Sequence, residues 1–390
     1  MEKFFFFGCW NKDPFNCCDI PERNDPTTPL EKEYTDFRQI ILNYLSENLD
    51  TYNFGIIAGD NIYPHKCKEK TKAKSGKKIN KLVKKKNKSK KKKYNKKKTN
   101  KKGGGKEKKI IYEYTLNKFK FIPKYNSELY SRVHILLGNH DINKATIQKL
   151  NKSKNEIDMA TYQQSLISET QNLYLDNINF SSKFANYYFL NTNNSEKLIN
   201  YLLEQDFDTN KWNILIGHEP LYSYKKEKIK EGSKIKYEGN LQTYKKSIEI
   251  LSLLERKKLD KVLYLCADTH NFQILSASEN GIYSIPIVVS GTGGASPDDF
   301  DEEPNIVNEN INLQHWNDPY GFCTIEVLDK EINVIYHQFT EVSNKIKKKN
   351  YKYTIKEKCL IEENKVIKSV LPKPIKTVPS KFKCSDLITE

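Results

Sequence analysis

The stretch Val133–Asp141, VHILLGNHD, limits what this chain can fold into more than any other segment. Four of its first five residues are apolar, with only His134 interrupting, which suits a strand buried on both faces. Gly138 frees the backbone for a sharp turn. Directly beyond it come an amide, an imidazole and a carboxylate: Asn139, His140 and Asp141. A buried strand that delivers polar groups at its C-terminal end is how α/β sheets present a site.

The same arrangement recurs along the chain. Phe4–Phe7 runs into Gly8, Cys9, Trp10 and Asn11, and Phe54–Ala58 into Gly59, Asp60 and Asn61, with Tyr63 close behind. Trp212–Ile216 leads to Gly217, His218 and Glu219, and Val262–Cys266 to Ala267, Asp268, Thr269 and His270. Of seven histidines, three (His140, His218 and His270) sit at these exits. Between the first two runs, Phe37, Ile40, Ile41, Tyr44 and Leu45 space as one face of a helix within 34–49. That order is a βαβ unit and implies a parallel pair. Carboxylate, amide and imidazole converging from neighbouring strand ends form a hard-to-borderline metal site, suited to zinc, manganese or iron. Asp60 is placed to bridge two ions.

Further strands are expected at 186–190, 272–276, 282–290, 321–326 and 332–339. Helices are expected at 156–170, 195–205 and 240–257, the last with Ile248, Leu251 and Leu254 on its apolar side. His134 reads as a core residue, His65 as a solvated loop histidine, and His315 as part of a loop before the last strands. From about Lys345 the composition reads as a basic, Pro-containing tail, 345–390.

The formal charge of +17 is misleading until it is localised. Residues 66–109 hold 24 lysines against Glu69 and Glu107, so the remainder of the chain is mildly acidic. That Lys-rich segment has too little apolar surface to offset its ordering entropy and is expected to be a disordered insertion. Its partners would be nucleic acid or an acidic surface, bound weakly. Eight cysteines without a CxxC pair give no disulfide framework. The four phenylalanines near the start are too short a run for a signal peptide or a membrane span. An intracellular location, cytoplasmic or nuclear, is the expectation.

The segments GDNIY, GNHD, GHEPLYS and ADTH, followed by Ser290-Gly291-Thr292-Gly293-Gly294, resemble in order the motif series of the calcineurin-like metallophosphoesterases. They are most similar to the purple, or tartrate-resistant, acid phosphatase branch. Asp60 and Asn139 lie 79 residues apart, and removing the 44-residue insertion leaves 35, a sensible strand-to-strand connection through a helix. The resemblance implies a four-layer α/β/β/α sandwich of two mixed sheets over 1–344, with the site at the strand C-termini. It implies two divalent or trivalent ions (iron, manganese or zinc) and a phosphorylated substrate, probed most simply as a phosphomonoester. By the same resemblance Asp60 bridges the ions, Asn139, His218 and Asp268 hold one, and Tyr63 and His270 hold the other. His140 protonates the leaving oxygen, Asp141 orients that imidazole, and a hydroxide generated at the metals attacks phosphorus.

The pattern is broken at Cys9, where the family has aspartate, at Asn11, at Asp268, where it has histidine, and at Glu219. Cys9 reads either as a thiolate ligand or as a packed thiol. Asn61 and Glu219 belong to the substrate side of the site or to the shell behind the metals, as does Asn11. Two other readings follow from these breaks and from the insertion. One is a catalytically impaired member acting as a binding module, and the other is nucleic-acid association through 66–109.

Overall fold

Phe4–Phe7 shows how the architecture arises. Phe4 and Phe6 enter the core between two sheets, whereas Phe5 and Phe7 enter a second core beneath a helix. Successive strand residues point to opposite faces, so four consecutive phenylalanines are buried only if both faces are covered. The computed structural model describes residues 1–10, 37–61, 132–141, 172–231, 234–279, 284–295, 297–298, 310–317, 320–343, 345–357 and 361–370. Asn11, Tyr63, His65, the expected helix at 156–170 and the insertion 66–109 lie outside these residues.

In the first sheet β1 (Glu2–Phe7), β2 (Phe54–Ala58), β3 (Val133–Leu136) and β4 (Asn172–Tyr174) run parallel. The second sheet centres on four parallel strands: β6 (Ala185–Phe189), β7 (Trp212–Ile216), β10 (Val262–Cys266) and β12 (Ile285–Ser290). It is flanked by antiparallel β5 (Ile178–Ser181), β11 (Phe272–Ala277) and β13 (Ile311–Asn317). A hairpin, β8 (Tyr222–Glu231) and β9 (Lys234–Thr243), stands apart as its own two-stranded sheet. The first sheet continues antiparallel from β1 through β14 (Gly321–Val327), β15 (Glu331–Val342), β16 (Lys345–Lys356) and β17 (Ile361–Val370).

Helix α1 (Phe37–Glu47) covers the outer face of the first sheet through Ile41, Leu42 and Leu45. Helices α2 (Ser195–Glu204) and α3 (Ser247–Lys257) cover the second through Leu198, Leu202, Ile250, Leu251 and Leu254. The layers are therefore α/β/β/α, as expected. In β10, Leu263 and Leu265 face the central core while Val262, Tyr264 and Cys266 face the helices. No helix among the described residues is long and apolar enough to cross a membrane.

Three expectations are corrected. The stretch 345–370 is not tail but two strands. Six lysines in Lys345–Lys356 hide the alternation of Tyr351, Tyr353 and Ile355, all buried in the core. Lys348 itself is buried with its ammonium 3.9 Å from the centre of the Tyr44 ring and hydrogen-bonded to that phenol. The third helix starts at Ser247, because Asn240–Thr243 pairs with β8, and Ile248 points outward at 57% exposure. His315 lies in strand β13, its ring against Phe272, Tyr351 and Tyr353, rather than in a loop. His134 is half-buried in β3: its Nδ1 lies 2.7 Å from the Tyr174 hydroxyl and its ring stacks on Phe180.

Candidate metal centre

Three strands end in the same unusual way. Two residues past the ends of β1, β2 and β10 stand Cys9, Asp60 and Asp268, with φ of 52°, 55° and 51°. A residue with a Cβ pays roughly 1–2 kcal/mol for this left-handed conformation, and such strain gathers where side chains are aimed for function. The turn at 290–295 braces the first of them. Gly8 N donates to Ser290 O, Ala295 N to Cys9 O, and Cys9 N to Gly59 O. Gly59 has φ +83°, and a Cβ there would lie 2.6 Å from His218 Nδ1. At Gly138 a Cβ would collide with the Asp60 carboxylate.

These turns bring side chains from both sheets together. The ligand atoms of Cys9, Asp60 and His218 all lie within 4.8 Å of one another, and all three residues are buried. Cys9 Sγ is 3.8 Å from Asp60 Oδ2, and His218 Nε2 is 3.3 Å from Asp60 Oδ1 and 3.5 Å from Asp268 Oδ1. On its other side His218 Nδ1 is 2.6 Å from Ala58 O. A proton on Nδ1 donated to that carbonyl leaves the Nε2 lone pair facing the carboxylates, which is the metal-ligating tautomer.

The electrostatics ask for a cation at this point. Burial opposes an imidazolium at His218, but Asp60 and Asp268 outweigh it and hold its pKa up to about 10. Burial likewise works against the Asp268 carboxylate, yet His218, Lys225 and His270 hold its pKa well below the usual range. Nε2 is buried and makes no hydrogen bond. Two buried carboxylates around this ring nitrogen fit a divalent metal, which would take that nitrogen and both oxygens as ligands.

The turn after β3 is tied to the turn after β2. Asp141 Oδ2 accepts from Gly138 N at 2.7 Å, Asn61 N at 3.2 Å and Asn61 Nδ2 at 3.1 Å. Asn61 also donates to Leu136 O at 2.7 Å and accepts from Trp10 Nε1 at 3.2 Å. Burial first, and the Asp60 charge second, push the Asp141 carboxyl up to about 7. Its Oδ2 thus fastens the loop that carries His140. His140 is half-buried and donates its backbone N–H to Asp60 Oδ1 at 3.1 Å, whereas Asn139 is exposed at the rim. Glu219 is half-buried, and burial with Asp268 raises its carboxyl to about 7.

His270 is buried, with Nδ1 3.8 Å from Asp298 Oδ1 and its backbone N–H donating to Asp298 Oδ2 at 2.9 Å. Among the described residues it is not part of the tight Cys9–Asp60–His218 group. Asp298 also meets Lys225 Nζ at 2.8 Å, and Gln242 Nε2 donates to Asp268 Oδ2 at 3.2 Å. The sequence did not point to Lys225, Asp298 or Gln242. They arrive from the hairpin and the loop after β12, and no strand-exit pattern marks them.

Two mixed sheets thus pack face to face and carry a buried cluster of possible metal ligands across their strand ends. The model of the calcineurin-like phosphoesterase family matches residues 32–272, more than half of the chain, and the protein belongs to that family. The family uses a dinuclear metal centre. Among solved structures the chain is similar to the purple acid phosphatase PPD1 from yellow lupin (Lupinus luteus) seeds, at 12% identity and a TM-score of 0.49. That match covers 86% of this chain and 51% of the lupin chain, so the protein spans about half the length of that relative. PhoD matches at 11% identity and a TM-score of 0.52, over 93% of this chain and 71% of its own. A single mutant of Vps29 from Entamoeba histolytica matches at 9% identity and a TM-score of 0.27, over 95% and 99%. No curated protein matches the chain.

Proposed function

We propose that the protein is a metal-dependent phosphomonoesterase acting on a phosphorylated substrate. The observation that carries this is the buried His218 Nε2, held without a hydrogen bond between carboxylates delivered by opposite sheets. Asp60, His218, Asp268 and Cys9 would hold metal, with Asn139, Tyr63 and His270 completing the set that the family pattern implies. Iron, manganese and zinc all suit these donors. Bound there, such ions would act as Lewis acids on the phosphoryl oxygens and lower the pKa of a nearby water.

The protein's own residues do the rest. His140 stands half-buried beside Asp60, with its loop fixed through its own N–H and through Asp141. In this reading its ring gives a proton to the departing ester oxygen. Glu219 stands where the branch has histidine and meets the substrate on the leaving-group side. Asn61 and Asp141 hold the two turns in register. Cys9 contributes its sulfur to the same buried cluster.

The test is hydrolysis of p-nitrophenyl phosphate by purified protein supplied with iron, manganese, zinc or magnesium. Turnover that disappears on chelation and returns with metal is expected. A protein that binds none of these ions and leaves the ester intact would overturn the proposal.

A further inference from the structure

We infer that Lys225 is a substrate-binding residue whose ammonium seats the dianionic head of a phosphomonoester, an inference that rests on the phosphoesterase reading above. Lys225 is rooted firmly although it belongs to a projecting hairpin. The neighbouring Tyr224 donates its N–H to Gln273 Oε1 at 2.9 Å and accepts from Gln273 Nε2 at 2.7 Å. Next to that, Ser223 and Thr269 share a hydrogen bond of 2.7 Å between buried hydroxyls. The base of β8 is therefore stitched to the turn that carries Asp268 and His270.

From this base the side chain reaches Asp298, with Nζ 2.8 Å from Oδ2. The same carboxylate oxygen accepts the backbone N–H of His270. Lysine and aspartate are 25% and 22% exposed, dry enough to be ordered and open enough to be reached. Asp298 in turn lies against His270, with Oδ1 3.8 Å from its Nδ1, so the ammonium sits beside the turn that carries Asp268 and His270.

The chemistry of the pocket gives this charge a purpose. Where the family pattern has histidine the chain has Asp268, so the wall facing an incoming phosphate is more anionic than in that pattern. A lysine held by Asp298 restores attraction for an anion on that side. A phosphomonoester carries close to two negative charges at neutral pH, with a second pKa near 6, whereas a diester carries one. A fixed ammonium therefore favours the monoester, and its strongest hydrogen bonds are those to charged oxygens. The alternative is a purely structural ion pair, which would not distinguish between the two esters.

The experiment uses the full, metal-loaded chain as wild type, Lys225→Met and Lys225→Arg. It reads metal content, calorimetric binding of inorganic phosphate, and kcat/KM for p-nitrophenyl and bis(p-nitrophenyl) phosphate. Lys225→Met is expected to keep its metal while phosphate affinity and monoester kcat/KM fall about tenfold and the diester changes less than about threefold. Lys225→Arg is expected to recover most of the loss. Equal effects on both esters, no effect on either, or loss of metal would overturn the assignment. If the wild type turns over neither ester, the phosphoesterase reading fails, and the phosphate isotherms still decide on Lys225: equal affinity, or no binding in either protein, overturns it. Lys225→Gln substitutes if the methionine variant does not fold.

Discussion

Cys9, Asp60 and Asp268 share a left-handed backbone and a position two residues beyond their strands. That shared geometry explains why Cys9 Sγ points into the cluster although its side chain departs from the family pattern. Cysteine occupies the place that the turn aims at the site. His140 is different, since its ring is not one of the clustered ligand atoms. His140→Ala is therefore predicted to lower kcat by about 10²–10⁴-fold while metal content stays at the wild-type level. Metal analysis beside turnover checks this, and loss of metal would mean that the ring is a ligand. The clustered residues legible in the sequence were those two positions beyond a buried strand: Cys9, Asp60, His218 and Asp268. Lys225 and Asp298 were not, because the carboxylate and the ammonium that meet in space lie 73 positions apart, in segments with no periodic signal.

At the level of elements, continuous apolar runs were decisive. Phe54–Ala58, Trp212–Ile216 and Val262–Cys266 are strands with the expected bounds, since both faces of each are covered and Asn213 is the one amide that interrupts them. The reading failed where one face is polar. In β16 the lysines of the open face concealed Tyr353 and Ile355, and in the β8–β9 hairpin no apolar run exists at all. Strand β16 carries weight in the fold because it pairs along the whole of β15 and supplies Ile346, Tyr351, Tyr353 and Ile355 to buried clusters. A chain ended at residue 344 is predicted to unfold roughly 10 °C or more below the full chain, since each lost core side chain costs about 2–5 kcal/mol. Thermal unfolding followed by circular dichroism checks this. An unchanged midpoint would show that 345–370 adds nothing to stability.

Across the described residues the two sheets pack face to face, and the site takes groups from the strand ends of each. The first sheet also sets a pH limit. Burial holds His134 down to about 4 and His337, which lies between Thr324 and Asn350, down to about 3. Both rings are neutral in the fold, while in the unfolded chain they take up protons near 6.5. Below that pH the unfolded state binds more protons, so stability is lost as pH falls from about 6.5 toward 3. Midpoints measured across this range should decline, and His337→Gln should flatten part of the decline. An identical slope in the variant would remove His337 from the explanation.

The central claim is that the cluster at the strand ends is a metal centre, and metal content tests it most directly. Purified full-length protein, loaded with manganese, zinc or iron and then desalted, should retain metal in stoichiometric amount, and His218→Ala should lose most of it. A wild-type protein that retains none of these ions, or a His218→Ala variant that retains as much as wild type, would contradict the account.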